Sequence, residues 1–81
     1  LSMHKNKELI SLDLFLGKKL RDFRRKIGWS QSTLGEKVGL SHQQIHKYEQ
    51  GYAKISTQIL YKFTQIFETT ISSFFEGYTP A

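Results

Sequence analysis

The 81-residue sequence contains no cysteine. Neither a disulfide framework nor a thiolate zinc site can brace the fold, so the core must come from packing alone, which suits a reducing cytoplasm. Long apolar runs are also missing. The longest falls far short of the roughly 20 residues that a membrane span needs, and the lysine-containing N-terminus has no continuous apolar segment of the signal-peptide kind. There is no Gly-rich phosphate loop, nucleophile motif or paired-carboxylate constellation, and the chain is small for a catalytic cleft, so neither an enzyme nor a cofactor is expected. Internal repeats, low-complexity tracts and sustained strand-like alternation are absent too. The single proline, Pro80, lies in a tail expected to end the ordered domain.

What is present is charge, unevenly placed. Residues 1–54 hold eleven Lys/Arg against five Asp/Glu, a balance of +6, whereas residues 55–81 hold Lys62 against Glu68 and Glu76, a balance of −1. Positive charge gathered on one part of a small domain is the electrostatic footprint of a polyanion binder.

Helical periodicity organises the chain. A natural chain would start at Met3, so Leu1 and Ser2 are read as a remnant, and the polar residues that follow are expected to fray; residues 1–12 are assigned to a flexible N-terminal segment, 13–76 to one domain and 77–81 to a tail. From about Asp13, capped by Ser11 or Asp13, a first helix carries Leu16, Leu20, Phe23 and Ile27 on one stripe and Lys18, Lys19, Arg21, Arg25 and Lys26 opposite, and ends at Gly28. A membrane-surface role for this basic helix is disfavoured, because so small a domain needs the stripe for its core. Arg24 lies beside the stripe and needs a partner there.

The stretch from Ser30 to Gly51 has the form of two short helices joined by a tight turn. Ser30 can cap the first by accepting from its orphan backbone N–H groups; Leu34 and Val38 share a face, and Gly39 stops it. Ser41 and Gln44 have the spacing of a capping box for the second, Leu40 and Ile45 that of a hydrophobic staple, as do Trp29 and Leu34 one helix earlier. Gly51 is the second stop, so both ends of both helices are marked, which is a helix-turn-helix signature. After a loop at residues 52–54, Ser56 to Phe67 reads as a fourth helix with Ile59, Leu60, Phe63, Ile66 and Phe67 on a wide apolar face, and Ser72 to Glu76 as a brief fifth. The expected fold class is all-α, with five helices. Most of these aromatics belong to the core, but Ile71, Phe74, Phe75 and Tyr78 are more apolar surface than a short terminal helix can easily hide, and form a candidate homodimer interface.

Taken together, Leu16-Gly17-x-x-Leu20-Arg21-x-x-Arg24, Ser30-Gln31-x-x-Leu34 and Ser41-x-x-x-Ile45-x-x-Tyr48-Glu49-x-Gly51 make residues 16–75 resemble the phage repressor and Cro-type helix-turn-helix family, the xenobiotic-response-element-like regulators. The resemblance implies a compact five-helix, lambda-repressor-like DNA-binding domain. Its third helix would lie in the major groove, with His42, Gln43 and Lys47 at base-reading positions and Gln44 and His46 nearby. The chemistry fits independently: Gln can pair with adenine N6 and N7, Lys can donate to guanine O6 and N7, and a neutral His can donate or accept according to tautomer. The resemblance places Gln31 on a phosphate, at a helix N-terminus that already favours anions. Gln50 and Lys54 match backbone-contacting loop positions, and Lys18 and Arg21 are weaker phosphate candidates. Arg24 and Glu49 match an ion pair between the first and third helices. The sequence departs from the family in having Gly35 where alanine is usual, Glu68 where glycine is usual and Ile55 where proline is frequent.

A dimer of such domains would set two recognition helices about 34 Å apart on successive major grooves, so an inverted-repeat site is expected for a cytoplasmic transcriptional regulator, most simply a repressor. His42 and His46 stand four apart on one helical face, a spacing metals can use, but lack a third and fourth ligand, so no metal is expected. The alternative is a protein-binding module, such as an antitoxin or adaptor, using the same fold.

Overall fold

The computed structural model describes residues 2–80, with side chains from Leu12 onward, and among these residues it contains five α-helices and no strand. They are α1 (Ser2–Ile27), α2 (Gln31–Val38), α3 (His42–Glu49), α4 (Thr57–Ile66) and α5 (Ile71–Phe75). Leu1 and Ala81, the outer ends of the expected N-terminal segment and tail, lie outside the described residues. The helix expected to begin near Asp13 extends back to Ser2, so no cap is placed at Ser11 or Asp13. No glycine or proline precedes Gly17, and nothing in that stretch forces the backbone out of the helical region.

The caps form where the hydroxyls stand. Ser30 Oγ accepts from the Thr33 backbone N–H at 3.0 Å, Ser41 Oγ from Gln44 N–H at 3.1 Å and Ser56 Oγ from Ile59 N–H at 3.1 Å. Thr70 caps α5 by accepting from Ser73 N–H at 3.2 Å. Gly39 ends α2 at φ 76°, and Leu40 N–H returns to the Gly35 carbonyl at 2.8 Å. Between α4 and α5 the same left-handed turn falls on Glu68, at φ 53°. A residue with a Cβ is strained there by about 1 kcal/mol, which accounts physically for the family's preference for glycine at this point.

Leu16, Leu20, Leu34, Val38, Ile45, Tyr48, Leu60, Phe63, Phe67 and Phe74 form the core. Helix α1 packs on α3 and α5, α2 on α3 and α4, and α4 on α5. A ring ladder closes the far side: Phe23 stacks on Phe67 at 5.4 Å and meets Phe74 at 4.9 Å, while Trp29 lies 5.9 Å from Phe67. Two expectations are corrected here. Ile27 is 47% exposed, because the chain reverses at Gly28 and brings Trp29, not Ile27, against the core. Phe74 is fully buried and so is no surface candidate for dimerisation; α5 uses it to attach itself to Phe23 of α1.

Gly17 and Gly35 mark the tightest backbone approaches. At Gly17 a Cβ would overlap the Tyr48 carbonyl oxygen and stand 2.9 Å from that of Glu49, so α1 can lie against the end of α3 only without a side chain there. At Gly35 a Cβ would overlap the Leu40 carbonyl oxygen, so the departure from the family's alanine belongs to a tightly closed α2–α3 turn. Gly17→Ala should therefore destabilise the domain by about 1–3 kcal/mol in urea unfolding. A stabilisation of about 1 kcal/mol, as for glycine to alanine on a free helix face, would show that the helices do not approach this closely.

Candidate nucleic-acid interface

Helix α3 divides its eight residues between two faces. Ile45, Tyr48 and Glu49 are buried, Gln44 is half-buried, and His42, Gln43, His46 and Lys47 are exposed. The division follows from helical geometry: positions 45, 48 and 49 share one arc, and positions 42, 43, 46 and 47 occupy the arc opposite. Ser41 caps the helix at the edge of the exposed arc, and Gln50, its C-cap residue, is exposed at the other end. Gln44 is partly withdrawn from the exposed face, and its backbone N–H is engaged with the cap.

A buried ion pair orients this helix. Arg24 of α1 donates through Nε to Glu49 Oε2 at 2.6 Å and through Nη2 to Oε1 at 2.9 Å, a bidentate fork. Its Nη1 donates to the Trp29 carbonyl at 2.9 Å, so the same guanidinium also holds the segment leading into α2. The Glu49 side chain is 1% exposed. Hydrogen bonding to Glu49 raises the Arg24 pKa above its ordinary value, against the opposing effect of burial. Gln31, half-buried at the start of α2, supplies a third donor to the carboxylate, its Nε2 lying 3.1 Å from Glu49 Oε1. The same nitrogen lies 3.5 Å from His46 Nδ1. The structure thus brings four candidate residues, Arg24, Glu49, Gln31 and His46, into one chain of polar contacts. Gln31, expected at a phosphate, turns its amide nitrogen toward Glu49 and His46.

The backbone-contacting candidates gather where α1, the end of α3 and the following loop meet. Gly17 touches the last carbonyls of α3, which sets Lys18 one residue along α1 and Arg21 one turn along. Gly51 packs on Leu14, and Lys54 is close enough to Asp13 to lower its carboxyl pKa, although desolvation of Asp13 has the larger, raising effect. Lys18, Gln50 and Lys54 are exposed and Arg21 is half-buried. Tyr52, in the same loop and outside the candidate residues of the sequence, is 77% exposed, the most open large hydrophobic side chain described. Its only sequence signal is an aromatic residue in a polar loop just past a candidate reading helix. At α5 and the tail, Ile71 is 41% and Phe75 37% exposed, and Tyr78 is half-buried with its ring 5.1 Å from that of Phe15.

This arrangement, a capped two-helix unit with one polar arc outward and a basic rim beside it, is that of a helix-turn-helix protein. Residues 20–79 match the helix-turn-helix family model, and the chain belongs to that family, in its Cro-type branch. It is similar to an uncharacterised HTH-type transcriptional regulator of Sinorhizobium medicae, 38% identical over 65 residues that make up 80% of this chain and 47% of the relative. A regulator of the same description from Rickettsia conorii is 36% identical over 73 residues, 90% of this chain and 58% of its own. An uncharacterised transcriptional regulator from the ATPase CF(0) region of Rhodospirillum rubrum is 36% identical over 64 residues, 79% of this chain and 59% of its own. The chain therefore spans about half the length of these curated relatives. No solved structure matches it significantly.

Because Arg24 and Glu49 are buried together, removing one leaves an uncompensated charge. Glu49→Ala should lower unfolding stability by about 3–5 kcal/mol, whereas Arg24→Met combined with Glu49→Leu should recover most of that loss. A single variant costing less than about 1 kcal/mol would place the pair in water.

Proposed function

We propose that this chain is the DNA-binding part of a cytoplasmic transcriptional regulator, and that it binds double-stranded DNA sequence-specifically with α3 in the major groove. The observation that carries the reading is the outward arc of α3: His42, Gln43, His46 and Lys47 are exposed on a helix whose other arc is locked into the core by Ile45, Tyr48 and the Glu49 ion pair. Among the described residues, His46 is the one of these four whose side chain meets a partner within the protein, Gln31. All four can present donors to base edges, and Gln43 and a neutral histidine can present an acceptor too. Gln44, half-buried, contributes at the margin. Lys18, Arg21, Gln50 and Lys54 would hold phosphates on the flanks and set register. The curated relatives, named as transcriptional regulators, point the same way.

Exposed Ile71 and Phe75, with Tyr78 beside Phe15, would pair two copies, so that the site is an inverted repeat and the protein acts most simply as a repressor. A protein partner on this face, as in an antitoxin or adaptor, is the competing outcome.

Selection from random duplex DNA at physiological salt should enrich an inverted repeat. Lys47→Ala should then relax preference at one base pair per half-site by about 1–3 kcal/mol. Affinity should fall with salt by about 0.9 log units per decade for each phosphate neutralised. Enrichment of no motif would contradict sequence-specific binding, and a uniform loss in Lys47→Ala would make Lys47 a phosphate contact.

A further inference from the structure

We propose that Gln31 is a positioning residue that holds the His46 imidazole with Nδ1 as acceptor and Nε2–H as donor, so that His46 reads an acceptor on a base edge and rejects cytosine. This rests on the DNA-binding reading above and deepens it at one side chain.

The number of amide hydrogens on Gln31 decides the tautomer. An ionised carboxylate only accepts, so the group that Gln31 turns toward Glu49 must be its NH2; the reversed amide would set a carbonyl oxygen against an anion. That nitrogen stands 3.1 Å from Glu49 Oε1, and the carboxylate is itself held on both oxygens by Arg24. The amide orientation is therefore decided by a buried ion pair, outside the exposed surface. An NH2 group has two hydrogens. With one on Glu49, the other is left for His46 Nδ1, 3.5 Å away. In a neutral imidazole one nitrogen donates and the other accepts, so an Nδ1 facing an N–H accepts and the proton resides on Nε2.

Two consequences follow. First, His46 offers the groove a donor, which matches guanine O6 and N7, adenine N7 and thymine O4, but not the N4 amino group that cytosine presents. Tautomeric freedom, which would let a histidine accept as readily as donate, is removed. Second, Gln31 has no third hydrogen for a phosphate. Its remaining Oε1 is an acceptor, and a phosphate diester supplies no donor to it. The residue that resemblance would put on the DNA backbone acts here through its neighbour.

The test uses Gln31→Leu, which removes both hydrogens at similar size, and Gln31→Lys, which keeps donors for both partners. Ring 15N shifts of His46 in the free protein should show protonated Nε2 and bare Nδ1 in wild type and Gln31→Lys, and a mixture of tautomers in Gln31→Leu. A wild-type Nδ1–H, or a tautomer balance unaltered by Gln31→Leu, overturns the proposal. With DNA, Gln31→Leu and His46→Ala should each lose discrimination at the same base pair, by roughly three- to tenfold, and the double variant should lose no more. An equal loss on every sequence with a shallower salt dependence in Gln31→Leu makes Gln31 a phosphate contact and overturns it as well. Should wild type select no motif, the DNA-binding reading fails, and the tautomer measurement still decides this one.

Discussion

The bidentate contact between Arg24 and Glu49 is the constraint on which the rest of the structure depends. It joins α1 to the end of α3, and through the Trp29 carbonyl it also fixes the entry to α2. A buried pair of this kind is weak evidence for added stability, since desolvation offsets much of the attraction. What it does supply is orientation. A planar fork satisfied at both prongs allows α3 little freedom to roll, and Gly17 permits the backbone approach that brings the two groups within reach.

From that constraint the division of α3 follows. With Glu49, Tyr48 and Ile45 directed inward, helical geometry leaves His42, Gln43, His46 and Lys47 outward. The pair also reaches the surface itself, because Gln31 links Glu49 to His46. The basic residues of α1 and the loop after α3 come alongside through the contacts of Gly17 and Gly51. In this way a buried electrostatic element and two side-chain-free crossings set the position of a polar surface.

Much of this was legible in the sequence. Ser30 and Ser41 carry their capping role in their spacing, Gly39 its stop, and Leu34, Val38, Ile45 and Tyr48 their burial, because caps and periodicity are local properties. Non-local features were not legible. Nothing in a 3.6-residue repeat says that Trp29 displaces Ile27 from the core, that Phe74 is wholly inside while Phe75 is not, or that Gly35 faces a carbonyl across the turn. The start of α1 at Ser2 is not legible either, because polar composition suggests fraying although no breaker stands before Gly17. The contact between Gln31 and His46 joins residues 15 apart on different helices, and no sequence spacing signals it.

The most direct test of the outward arc as the working surface is an NMR titration of the 15N-labelled protein with duplex DNA. Shift changes should appear on the amides of residues 41–47 and on the loop from Gln50 to Lys54, whether or not pairing of two copies also shifts α5. Changes confined to α5, or none at saturating DNA, would contradict the account.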